Sequence, residues 1–179
     1  KRFFENRYNN DLKPGESSEG QVRILRFKVS SRNRRKFDKV NKKLLSHKKQ
    51  SLIPGLSPVS VKKEKLYNDH NINSPDLVKY INDHYEEFEA FIFLPYLFPP
   101  IYDGLNAAGK KAILQPCLHD EAYAYLDLIQ RAFFKVPKVF FNSSGELEAA
   151  VKIFGPSIWP KSTVIGSGVE VNSDITESD

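Results

Sequence analysis

Cysteine is almost absent from this sequence: Cys117 is the only one in 179 residues. A lone thiol excludes an internal disulfide and any thiolate cluster for zinc or iron–sulfur, and it favours a reducing compartment. No apolar run approaches the roughly 18 residues of a membrane-spanning helix. The expectation is therefore a cytoplasmic protein, soluble or attached to a membrane only peripherally. No signal peptide is visible, and because the chain opens on Lys1 a start further upstream is expected. A Walker loop, zinc-ligand spacing and the glycine-flanked aromatics of RNA-recognition domains are all missing, so nucleic acid is not an expected partner.

What is present suits one globular domain. Hydrophobic residues make up 40% and aromatics 12%, enough for a single core at this length. Charge is lopsided: residues 1–70 carry 19 Lys or Arg against 7 Asp or Glu, and residues 71–179 carry 8 against 15. A basic first third invites an anionic partner, either a lipid surface or a nucleic acid, and the bland alternative is a solvated, partly disordered segment.

In chain order, residues 1–20 are read as irregular. Gln21 to Val29 alternates apolar and basic residues, the pattern of an early or edge strand of the sheet. Asn33 is a cap for a helix from Arg34 to Leu45, with Phe37, Val40, Leu44 and Leu45 on one face and Arg34, Arg35, Lys39, Lys42 and Lys43 available to an anionic surface. That apolar stripe either packs on the core or lies on a membrane. Residues 46–65 are read as a long mobile basic loop.

From Ser74 the pattern sharpens. Ser74-Pro75-Asp76 starts a helix that runs to about Phe88, and Phe88 to Tyr96 is a nearly continuous apolar run, as for a strand covered on both faces. Pro99-Pro100 introduces a helix closed by Gly109. A strand follows through Leu114, and then a helix from Asp120 to about Phe134. Val136 to Phe141 is another buried strand; Ser143 and Glu146 have capping-box spacing for a helix through Ile153, and Ser162 to Ile165 is a last strand. This alternation predicts an α/β fold: a Rossmann-like three-layer domain with a mainly parallel sheet over residues 21–169, followed by a tail at 170–179. Ligands of such sheets bind outside the carboxyl ends of the strands, where His119, Asp120 and Glu121 fall.

Three stretches carry a resemblance: Phe91 to Tyr96, Pro116-Cys117-Leu118-His119-Asp120-Glu121-Ala122-Tyr123, and Val139-Phe140-Phe141-Asn142-Ser143-Ser144-Gly145-Glu146. With Val164-Ile165-Gly166-Ser167-Gly168-Val169 as a closing motif, the chain resembles the amino-terminal domain of a family-four, retaining glycosyltransferase of the two-domain GT-B fold. The resemblance covers roughly residues 66–171, and more loosely Val22 to Phe37. It implies a nucleotide-sugar donor, a glycan or lipid-linked acceptor, and no metal. It implies that His119 reaches towards the donor sugar, that Asp120 and Glu121 shape the acceptor side, and that Tyr96, Tyr123 and Asn142 line the substrate cleft. The family's glycine-rich first loop and its carboxyl-terminal donor-binding domain have no counterpart here, so the chain by itself is expected to be inactive. Glu170 and Glu177 share the seven-residue separation of that domain's paired glutamates by chance.

Plainer readings stand beside these. Asp120 and Glu121 also suit the first turn of a helix, His119 an ordinary turn, the tyrosines (Tyr102 and Tyr125 among them) helix packing, and Cys117 a small buried residue. His47, His70 and His84 are given no role. Two other classes compete: a stand-alone module binding anionic lipid or nucleic acid through its basic third, and a metal hydrolase built on His119, Asp120 and Glu121, which needs further ligands.

Overall fold

The computed structural model describes residues 12–166 and residue 168. Among the described residues, two strands and three α-helices precede the main sheet. Strands β1 (Gly15–Glu19) and β2 (Val22–Arg26) form a separate antiparallel hairpin pairing Gly15 with Arg26 through Glu19 with Val22. The alternation read over 21–29 is thus a strand, but of a hairpin and not of the main sheet, and part of the segment expected to be irregular is its partner. Arg26 donates to Ser17 Oγ at 2.7 Å and Arg23 pairs with Glu16 at 2.7 Å, so the hairpin is held by its own cross-strand polar contacts.

Helix α1 (Arg34–Leu45) begins as its cap predicts, with Asn33 Oδ1 accepting the Lys36 N–H at 3.1 Å. Phe37, Val40 and Leu44 are buried, so these three pack on the core, whereas Leu45, read on the same face, is exposed. The stretch expected to be a loop, residues 46–65, ends instead in the first residues of helix α2 (Val61–Asp69), and α3 (Pro75–Asp83) follows. Few apolar residues mark α2. Its anchor is Glu64, whose Oε1 accepts the hydroxyl of Ser57 at 2.8 Å and the N–H of Asp127 at 2.5 Å.

The main sheet has four parallel strands in sequential order: β3 (Phe91–Phe93), β4 (Ala112–Leu114), β5 (Lys138–Phe141) and β6 (Ser162–Val164). The crossovers carry α4 (Pro99–Ala108), α5 (Asp127–Lys135) and α6 (Ser144–Phe154). Gly109, at φ +50°, ends α4 where a side chain would be strained. Each crossover advances one strand in the same direction, and because parallel crossovers are right-handed their helices fall on one face.

Register and burial agree with this. Phe93, Leu114 and Val139 are in register, and with Ala112 and Phe141 they are buried on one face. On the other, Ile92, Lys138 and Thr163 are exposed, and Ile113 and Phe140 are half-buried. The α/β parallel-sheet class is as expected. Among the described residues, however, the expected third layer is missing, and the Phe91–Phe93 strand is covered on one face only. Helices α1, α2 and α3 make their main contacts with α1–α5 neighbours and with the turn at 122–125, not with the strands.

Candidate functional site at the carboxyl ends of β4 and β5

Two loops leave the carboxyl ends of adjacent strands, 115–121 after β4 and 142–143 after β5. Glu146 joins them. This buried residue in the first turn of α6 accepts the N–H of Leu118 on Oε1 at 2.5 Å and the N–H of Asn142 on Oε2 at 2.6 Å, while its own N–H donates to the Ser143 cap. Both are charge-assisted bonds to backbone that would otherwise be orphaned. A second bridge runs beside it: Gln115 Nε2 donates to Asn142 Oδ1 at 2.8 Å, and Asn142 Nδ2 lies 3.6 Å from Cys117 Sγ. Asn142 therefore ties the loops together. Cys117 is exposed, against expectation, at φ +52°.

The His119, Asp120 and Glu121 triplet diverges. His119 is exposed, and its carbonyl accepts the Glu121 N–H at 2.9 Å. Asp120 turns towards three donors: Tyr125 Oη at 2.8 Å, Lys152 Nζ at 2.8 Å and Lys49 Nζ at 3.0 Å. Burial alone would raise this carboxyl, but the bonds from Lys152, Tyr125 and Lys49 outweigh burial and hold it at about 2. Glu121 Oε1 accepts the Tyr96 hydroxyl at 2.8 Å. Tyr96 is almost fully buried; burial first, and the Glu121 charge next, push its phenol far above the ordinary value.

Neither acid caps α5, which begins at Asp127 after a short 3₁₀ turn at Ala122–Tyr125. The helix expected from Asp120 starts late because that segment is spent reaching partners on other elements. Tyr123 is half-buried, its hydroxyl donating to Asn41 of α1 at 2.6 Å and its ring centroid 5.9 Å from that of Tyr67. Tyr102 and Tyr125 are buried, the Tyr102 hydroxyl donating to the Tyr96 carbonyl and that of Tyr125 to Asp120. Of the basic set on α1, Arg34 pairs with Asp38 at 3.6 Å, and Arg35, Lys39, Lys42 and Lys43 are exposed.

The structure thus brings His119, Glu121, Tyr96 and Asn142 to one pair of loops and commits Asp120 to holding loop 49–51 and α6 against them. Glu146 is the residue whose role the sequence understated. Its capping-box spacing is visible, but its bond to Leu118, 28 residues away, is not. A cavity of about 600 Å³ lies elsewhere, between α2, α4 and α5, lined by Glu64, Asp103, Asn106, Arg131 and Lys135 among others. Burial raises the Asp103 carboxyl there. Among the described residues no three His, Cys, Asp or Glu side chains are grouped to hold a metal ion. Comparison with models of known families, with curated proteins and with solved structures finds no match.

Proposed function

We propose that this chain forms the acceptor-side half of a retaining glycosyltransferase, which moves a sugar from a nucleotide-sugar donor to a glycan or lipid-linked acceptor. The observation that carries the reading is the Glu146 clamp. It fixes the backbone of the 116–118 and 142 loops side by side at the carboxyl ends of β4 and β5, and leaves the imidazole of His119 facing solvent. An open parallel sheet binds ligands at that end, next to the strand where the order reverses. Strand β3, with its unpaired edge among the described residues, is where a reversal would have to occur.

The chemistry asked of such a site is positioning and charge stabilisation, since a sugar leaving with retention passes through an oxocarbenium-like state while negative charge builds on the departing diphosphate. In this reading the exposed His119 is the group of this half that touches the donor. Glu121, oriented by Tyr96, keeps its second oxygen for an acceptor hydroxyl. Asp120 acts through geometry, by anchoring the loop. Cations to meet the diphosphate belong in this reading to the donor-binding domain, and no metal is invoked.

The test uses the full-length protein encoded by the gene. Incubated with a panel of nucleotide sugars and a crude glycolipid or glycan acceptor, it should release nucleoside diphosphate and transfer sugar. His119→Ala should lower kcat about a hundredfold or more while the fold is retained. A full-length protein that binds no nucleotide sugar by calorimetry, or a His119→Ala variant that transfers at the wild-type rate, overturns the reading.

A further inference from the structure

The α1–α2 pair ends in a surface that the core does not use. Phe37, near the start of α1, stacks on Tyr67, near the end of α2, with ring centroids 5.3 Å apart, and Lys43, near the end of α1, meets Lys63, near the start of α2. The two helices are therefore antiparallel, and the end of α1, the segment 46–60 and the start of α2 form the tip of a helical hairpin.

That tip has an unusual composition. Residues 39–63 contain seven lysines, no acidic residue, no arginine and no Phe, Tyr or Trp. Its apolar side chains divide into two sets. Val40, Leu44 and Val59 are buried and Leu52 packs half-buried against the core, whereas Leu45, Ile53, Leu56 and Val61 are 65%, 57%, 59% and 79% exposed. One exposed aliphatic is ordinary, but four at one tip among lysines are not. We propose that this tip docks on an anionic phospholipid bilayer, with Leu45, Ile53, Leu56 and Val61 entering the interface and Lys42, Lys43, Lys48, Lys62 and Lys63 meeting headgroup phosphates.

Physical chemistry favours that occupant over nucleic acid. Aliphatic tips gain free energy at the acyl boundary while lysine stems let the ammonium stay at phosphate level. Single-stranded nucleic acid is gripped through stacking on rings and guanidinium groups, and this tip has no guanidinium and no ring but the half-buried imidazole of His47. Lys63 is held below the ordinary lysine value chiefly by Lys43, a crowding of like charges that headgroup phosphates relieve. Among the described residues no helix is long and apolar enough to cross a membrane, so contact through this tip is interfacial.

The docking surface also touches the candidate site. Lys49 reaches Asp120 at 3.0 Å, and Asn41 receives the Tyr123 hydroxyl at 2.6 Å, so a seated tip holds residues 119–123 close to the membrane surface. Under the glycosyl-transfer reading, on which this corollary alone rests, the acceptor is a lipid-linked one.

Co-sedimentation of the 179-residue chain with vesicles tests the docking. Vesicles of phosphatidylcholine carrying about a third phosphatidylglycerol should bind it about tenfold or more tightly than phosphatidylcholine alone. Ile53→Ser, Leu56→Ser and Val61→Ser together should weaken binding about tenfold. Lys42→Gln and Lys62→Gln should each weaken it about fivefold. All five positions are exposed, circular dichroism checks the fold, and the single substitutions serve should the triple change melt the tip.

Absence of affinity for anionic vesicles, or affinity that the serine substitutions leave unchanged, overturns the proposal. So does tighter binding to single-stranded RNA that survives the same substitutions, which would assign the tip to nucleic acid. Vesicle binding by a chain whose full-length protein transfers no sugar keeps the docking and removes the enzymatic reading.

Discussion

The Glu146 carboxylate accepts the Leu118 N–H at 2.5 Å, joining the first turn of one helix to a residue 28 positions earlier in the loop that follows the neighbouring strand. The same carboxylate takes the Asn142 N–H at 2.6 Å. Truncating it orphans two donors in a buried position, each costing on the order of 1–3 kcal/mol. Glu146→Ala should therefore destabilise by about 2–4 kcal/mol, measured by denaturant titration, and Glu146→Gln, which keeps one acceptor, should fall between. A loss well under about 1 kcal/mol would mean that other contacts hold the loops.

His119 gives the opposite expectation. Its ring is exposed, so His119→Ala should change stability by no more than about 0.5 kcal/mol in the same titration. A large loss would make the histidine a structural element of its turn and remove the reason for calling it a functional group.

Gly104 lies in α4 against the buried ring of Phe93, and a Cβ at this position would overlap that ring. Alanine improves helix propensity by about 1 kcal/mol over glycine, but overpacking costs about 1–3 kcal/mol. The clash should win, so Gly104→Ala should lower the thermal midpoint. A raised midpoint would show that Phe93 yields easily.

Asp120 is held at about 2, below its ordinary 3.8. A carboxyl depressed in the folded state contributes stability that is fully present above the unfolded value and disappears as pH falls through the folded one. The wild type should thus exceed Asp120→Asn in thermal midpoint above about pH 4, with the gap closing towards about pH 2. Carbon-detected titration should place the Asp120 carboxyl near the low value, and Lys152→Ala should move it up. A carboxyl that titrates near 4 in the wild type contradicts the ion pairs with Lys49 and Lys152.

Phe133 packs face to face with Phe154 at 4.1 Å and edge-on to Tyr96 at 6.5 Å, with no exposure. Phe133→Ala should cost about 3–5 kcal/mol, and a midpoint shift small enough to imply less than about 2 kcal/mol would show that α5 and α6 close the gap.

Where a signal is local, the sequence was legible. Asn33 and Ser143 cap their helices as their spacing announces, because an N-cap bond spans only three residues. The four strands of the main sheet fall inside the stretches read for them, since a short run of apolar residues between turn signals marks a buried strand wherever its partners lie, although it overstated the cover of Phe91–Phe93. Helix α2 was not legible, because beside Tyr67 and the half-buried Leu66 its hold on the fold is a buried carboxylate bonded to Ser57 and Asp127, too few apolar positions to mark a stripe. The hairpin partner Gly15–Glu19 was missed for a related reason: all but one of its residues are exposed, so it carries no hydrophobic pattern.

The candidate site divides in the same way. By themselves the residues determined that a histidine and two acids follow a parallel strand, because that statement needs only chain order and the preference of apolar runs for the interior. Which way each side chain turns was decided by the fold. Asp120 meets lysines 71 residues before it and 32 after, Glu121 meets a tyrosine 25 residues before it, and His119 is left to the solvent. Those outcomes depend on which elements the crossovers set side by side, and charges that attract at 3 Å leave no trace of their partner in the order of the chain.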